Sequence, residues 1–208
     1  MSHLWYVSYG SNMHTERLRC YIAGGCPAGA TRTYPGCRNT TPPVRSRGTL
    51  LTGGIYFATH SPVWNGGRAL FDPDLPGTAA ARAWLVTPQQ FADIAAQEMY
   101  REPGEDLDLD EVLRTGRAAM GPGRYETLLY VGDVDGYPQL TFTADHGHRD
   151  VDPVPPSAPY LAMLVGGLQE AHGWSPEATA DYLASRPGIG TWNAEAILAA
   201  CIDDRSAP

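Results

Sequence analysis

An α+β domain is what this chain predicts, on three observations. Strand-patterned segments crowd its first two-thirds, helix-patterned segments close it, and no internal repeat or domain-separating linker interrupts it. The 208 residues suit one domain, 1–208. A hydrophobic fraction of 43% beside 18% charged residues describes a globular chain able to bury a core, and 23 Gly with 18 Pro signal many turns.

Taken in order, Trp5 to Tyr9 alternates as a short strand with Trp5, Val7 and Tyr9 on one face. Gly10, Ser11 and Asn12 form a turn, with Asn12 a suitable N-cap for a helix from His14 to Ile22. Strand, tight turn and helix start together offer backbone N–H groups to a carboxylate or phosphate, although the same pattern serves as an ordinary connection. Ala28 to Gly48 is rich in Pro and Arg with little periodicity, a loop-rich excursion holding one short strand. Thr49 to Ala58 reads as a strand with a glycine bulge, Trp64 to Phe71 as a turn and strand, and Ala83 to Val86 as a compact apolar strand. Thr87-Pro88 starts a helix that runs to Glu98.

Residues 102–123 begin acidic and carry a short amphipathic helix before Gly116, an exposed insertion or lid. Glu126 to Asp133 and Tyr137 to Ala144 form a β-hairpin around Asp135-Gly136. Helices follow from Tyr160 to His172, from Ser175 to Ser185 and from Thr191 onward.

The formal charge of −8 argues against a nucleic-acid partner, which needs a clustered basic face. All 15 basic residues are Arg, so Lys-based Schiff-base or general-base chemistry is excluded. No apolar run approaches the roughly 20 residues of a membrane span, and the N-terminus lacks the charge and apolar core of a signal peptide; a cytoplasmic protein is the expectation. Cys20, Cys26, Cys37 and Cys201 show no CxxC spacing, which fits thiols in a reducing compartment.

Glu98 ends a helix whose Phe91, Ile94 and Ala95 recur at helical spacing, so its carboxyl lies near an apolar face where burial raises a pKa. Its rivals are Glu102 and Glu105, and its bland alternative is a surface acid. Asp145, His146, His148 and Asp150 could supply metal ligands, but no HExxH-type pair accompanies them and a solvated loop accounts for them equally. Ser11 and Cys20 are weak nucleophile candidates, since no GxSxG elbow is present.

Tyr9-Gly10-Ser11-Asn12 resembles the YGSN signature of the γ-glutamylcyclotransferase family, and further segments fit in order. Trp64-Asn65-Gly66-Gly67 resembles that family's aromatic-x-Gly-Gly turn. Trp84-Leu85-Val86 with Phe91, Ile94 and Glu98 resembles the strand and helix that deliver its catalytic glutamate. Pro155-Pro156-Ser157-Ala158-Pro159-Tyr160, followed by Gly166-Gly167 and His172-Gly173, resembles the entry to its late helix, which opens on a substrate-contacting tyrosine. The chain departs in having Met99 where Gly often follows the acid, and in a longer segment after it; residues 174–208, a helical C-terminal extension, match no motif.

The resemblance implies a small mixed β-barrel with surrounding helices, no cofactor, no metal and no enzyme nucleophile. It implies release of 5-oxoproline from a small γ-glutamyl substrate by attack of the substrate's own α-amine, with Glu98 as general acid and base. Tyr6, Val7, Ser8, Tyr9, Gly10, Ser11, Asn12 and Tyr160 would bind the substrate, with backbone N–H groups of the Tyr6–Ser11 stretch holding its carboxylate or oxyanion. A hydrolytic amidase, metal-assisted through Asp145, His146 and His148, and a non-catalytic binding module remain the alternatives. The leaving amine and the oligomeric state are not readable from the chain.

Overall fold

The computed structural model describes residues 1–27 and 32–204. Strand β1 (Leu4–Ser8) is buried along its whole length, because its two faces enter different cores. Trp5, Val7 and Tyr9 go to one, Leu4 and Tyr6 to the other. A single turn of 3-10 helix (Ser11–Met13) follows, then α1 (Thr15–Ala23). His14, not Asn12, occupies the N-cap of α1 and makes no side-chain cap bond. Asn12 is diverted because its amide is used inside the protein, as described below.

β2 (Arg45–Thr52) and β3 (Gly54–Ser61) replace the single bulged strand expected from Thr49 to Ala58. Gly53, at φ 120°, is the corner at which the chain leaves one sheet for another. Of the loop expected from Ala28 to Gly48, residues 28–31 lie outside the described residues. β4 (Gly66–Asp72) pairs with β3 as a two-stranded ribbon.

β5 (Thr78–Val86) is longer than its apolar end suggested, since the alanine run from Ala79 to Ala83 is strand as well. Alanine is a weak strand former, but here the run pairs with β2 along its whole length, and β1 joins on the other side from Arg82 onward. α2 (Pro88–Glu98) opens with a reciprocal capping box between Thr87 and Gln90.

The segment read as an exposed insertion is partly built into the core. α3 (Asp110–Thr115) buries Val112, and β6 (Arg117–Ala119) buries Ala118 and pairs with β7 (Thr127–Val134). β8 (Tyr137–Thr143) completes the hairpin around Asp135-Gly136. α4 (Ala158–His172), α5 (Pro176–Ala184) and α6 (Ala194–Asp204) close the described chain. The last begins after Asn193, whose side chain accepts from the Ala196 N–H, not at Thr191. α5 and α6 place Ala180, Leu183 and Ile197 in the same core as Trp5.

The α+β class holds, but the expected small barrel does not close. The main sheet is open, with order β2-β5-β1-β8-β7-β6, and only β1 and β8 run parallel. The β3–β4 ribbon would have to bridge the gap, and it joins by side chains instead of a ladder. Thr143 donates its hydroxyl hydrogen to the Phe71 carbonyl and accepts from the Phe71 N–H, at 2.7 and 3.1 Å. No helix among the described residues is long and apolar enough to cross a membrane.

Candidate functional site

β1 and β8 are in register only at Trp5 with Gln139 and Tyr6 with Leu140, then they part. A cleft of about 570 Å³, its open mouth included, lies where they separate, lined by Val7 and Ser8 on one strand and Thr141 and Phe142 on the other. The run from Tyr6 to Asn12, Glu98 and Tyr160 all line this cleft. Glu102 and Glu105 are exposed and do not.

The turn after β1 is held from several directions. The Gly10 carbonyl accepts from Met13 N–H, and the Asn12 carbonyl accepts from the Trp84 indole N–H, each at 3.0 Å. The buried amide of Asn12 donates to the Tyr6 hydroxyl at 3.1 Å and to Glu98 Oε1 at 2.8 Å. Glu98 is half-buried at the C-terminal end of α2, so one carboxylate oxygen is fixed by this bond. Burial, with the Glu98 charge adding to it, pushes the Tyr6 hydroxyl well above its ordinary pKa, keeping it protonated.

Glycines at the other segments permit close approach. A Cβ on Gly67 would lie 1.7 Å from the Val154 carbonyl oxygen, where β4 meets the proline-rich entry to α4. Gly67 N–H donates to the Pro155 carbonyl at 2.7 Å. A Cβ on Gly167 would lie 2.7 Å from His14 N, so α4 can sit directly on the Met13-His14 backbone.

Tyr160, on the first turn of α4, is buried and accepts from the Ala69 N–H at 3.1 Å. That bond uses the oxygen and leaves its O–H to donate. Burial pushes its pKa up to about 12, against the smaller opposing effect of the Ala69 bond, so it is a neutral donor at ordinary pH. The Tyr9 hydroxyl, by contrast, is spent on the Phe142 carbonyl at 2.8 Å, and its ring packs in the core.

Sequence reasoning missed Arg17. It lines the cleft, is only 3% exposed, and is held between aromatic rings, its Cζ 4.6 Å from the Tyr21 centroid, 4.4 Å from Tyr34 and 5.4 Å from Trp64. One signal was available, because Arg17 shares its stripe of α1 with buried Leu18, Tyr21 and Ile22. Burial pulls its pKa down, but Tyr21, Tyr34 and the Glu98 charge outweigh that, so it stays cationic. Arg68 and Arg124 also line the cleft, which makes it cationic apart from Glu98 in a chain of net charge −8.

The other candidates lie elsewhere or are engaged. The Ser11 hydroxyl meets the Arg17 Nε at 3.4 Å and not an imidazole. Burial raises the pKa of Cys20, which is outside the cleft. Asp145, His146 and His148 line a separate recess. There His146 Nδ1 is 3.1 Å from the Tyr56 hydroxyl, and His148 Nδ1 is 2.8 Å from Asp72. Among the described residues no group of three or more His, Cys, Asp or Glu side chains is placed to hold a metal ion.

No family model matches the chain. Histone deacetylase 5 of Arabidopsis thaliana is 27% identical over 202 residues, covering 86% of this chain; the match spans 30% of that protein's length. Among solved structures, a gamma-glutamyl cyclotransferase is similar with a TM-score of 0.48 and 16% identity, over 95% of this chain and 98% of that one. An uncharacterized protein from Homo sapiens is similar with a TM-score of 0.48 and 17% identity, over 96% of this chain and 99% of that one.

Proposed function

We propose that the chain is a γ-glutamylcyclotransferase-like enzyme, converting a small γ-glutamyl amide to 5-oxoproline and a released amine or amino acid. One observation carries this reading: the separate segments bearing the sequence resemblance meet around a single turn, Gly10 to His14. Trp84 and Glu98 bond to Asn12, and Gly167 packs on Met13 and His14. Tyr160 packs tilted against Trp64, ring centroids 5.5 Å apart, with its hydroxyl 3.4 Å from where a Gly10 Cβ would stand.

In this reaction the α-nitrogen bonds to the γ-carbonyl carbon, and the bond from that carbon to the amide nitrogen breaks. Both reacting groups belong to one molecule, so folding the glutamyl chain into a ring-closing shape is worth on the order of 7 kcal/mol. An α-amine with a reference pKa of about 8 must give up a proton to attack, and the departing nitrogen must gain one. Glu98 faces the cleft with one oxygen fixed by Asn12, leaving the other for that exchange. Tyr160 offers its O–H, and the backbone after β1 its N–H groups, to charge developing on the carbonyl oxygen.

The test is to incubate the purified chain with γ-glutamyl amines, γ-glutamyl dipeptides and glutathione, and to read 5-oxoproline by mass spectrometry. The reading expects 5-oxoproline from at least one class. Free glutamate in its place would mean hydrolysis.

A further inference from the structure

Arg17 carries five N–H donors, and the protein accounts for only part of them. Its Nη2 donates to Tyr21 at 3.0 Å and to Tyr34 at 2.7 Å, and its Nε to Ser11 at 3.4 Å. Nη1 is fully buried with no partner in the protein. Among the described residues no carboxylate lies within 4 Å of this guanidinium. A buried cation with no carboxylate in contact is costly, since the Glu98 charge acts only from a distance and the aromatic rings hold the guanidinium in place without neutralising it.

A second buried orphan is Asn12 Oδ1, an acceptor with no protein donor. Both residues line the cleft that contains Glu98. An orphan cationic donor at one point, with an orphan acceptor joined to a carboxylate at another, is the complement of a ligand bearing an anion and an ammonium together.

We infer that Arg17 and Asn12 read the zwitterionic head of an α-amino acid, Arg17 taking its carboxylate through Nη1 and Asn12 Oδ1 taking its ammonium. This rests on the proposed γ-glutamyl reading and deepens it. With the carboxylate on Arg17, the backbone after β1 is left for the γ-carbonyl oxygen. With the ammonium on Asn12, the nucleophilic nitrogen lies beside Glu98, because the Asn12 amide is bonded to that carboxylate. Arg17 is then a specificity-determining residue that selects substrates with a free α-carboxylate.

The test uses L-glutamine, the smallest γ-glutamyl amide, with its α-amide and its Nα-acetyl derivative, titrated into the full chain by calorimetry. Wild-type protein should bind L-glutamine about tenfold tighter than either derivative. In Arg17→Met the preference over the α-amide should collapse while that over the Nα-acetyl compound persists, and Arg17→Lys should restore part of the former. Equal binding of L-glutamine and its α-amide to wild-type protein would overturn the inference, whatever the fate of the variants. So would a retained preference in a folded Arg17→Met, or no saturable binding of L-glutamine at millimolar concentration. Zwitterion selection without 5-oxoproline from any γ-glutamyl compound would remove the proposed reaction and leave this site standing. Turnover indifferent to the α-carboxylate would do the reverse.

Discussion

Asn12 and Glu98 are 86 positions apart and joined by a hydrogen bond of 2.8 Å, from the side-chain amide to Oε1. The bond ties the turn after β1 to the end of α2, bringing the proposed acid and base to the glycine turn. Gln at position 98 keeps an acceptor for Asn12 but cannot take up a proton. Glu98→Gln is therefore expected to lower kcat by about 10²- to 10⁴-fold with the thermal midpoint nearly unchanged. Steady-state kinetics beside a melting curve measure both, and near-normal turnover would move the role to another group.

Tyr160 has a structural duty that separates from its proposed chemical one. Tyr160→Phe removes the acceptor of the buried Ala69 N–H and should cost about 1–3 kcal/mol, seen as a lower denaturant midpoint at unchanged slope. An unchanged midpoint would mean that the Ala69 bond adds nothing to stability.

Acid sensitivity should come in part from the recess away from the cleft. Burial alone would raise the Asp72 carboxyl, but the His148 side chain and the His148 and Asp74 N–H groups outweigh it and hold the pKa below its ordinary value. A carboxyl lowered in the folded state stabilises the protein fully above its unfolded pKa of about 3.9 and loses that effect as pH falls through the folded value. Glu170, lowered against burial by Thr15, His14 and Arg82, acts in the same window. Asp72→Asn should therefore be less stable at neutral pH yet lose less stability below about pH 4. Parallel stability curves for the two proteins across that range would refute the assignment.

What the sequence made legible was local. The Thr87–Gln90 capping box and the Asp135-Gly136 turn are each set within a few residues, and both elements stand where expected. The alanine half of β5 was hidden because its strand character comes from pairing with β2, which no local pattern reports. The barrel failed to close because Gly53 sends the chain into a separate ribbon, and only side-chain geometry shows that Thr143 replaces the missing ladder. Asn12 carries the same lesson. A residue suited to capping was drawn by Tyr6 and Glu98 into a bond that spans most of the first half of the chain. Arg17 was overlooked because arginine is rarely buried; its site needs Tyr34, positioned by pairing with Gly25, as well as Tyr21 on its own helix.

The central claim is ring closure by the substrate's own amine, and heavy-oxygen water tests it most directly. With wild-type protein and a γ-glutamyl substrate in H₂¹⁸O, the glutamyl product should be 5-oxoproline whose mass carries no solvent oxygen. A product that gains the label would show that water attacked the carbonyl, and would contradict the cyclisation account.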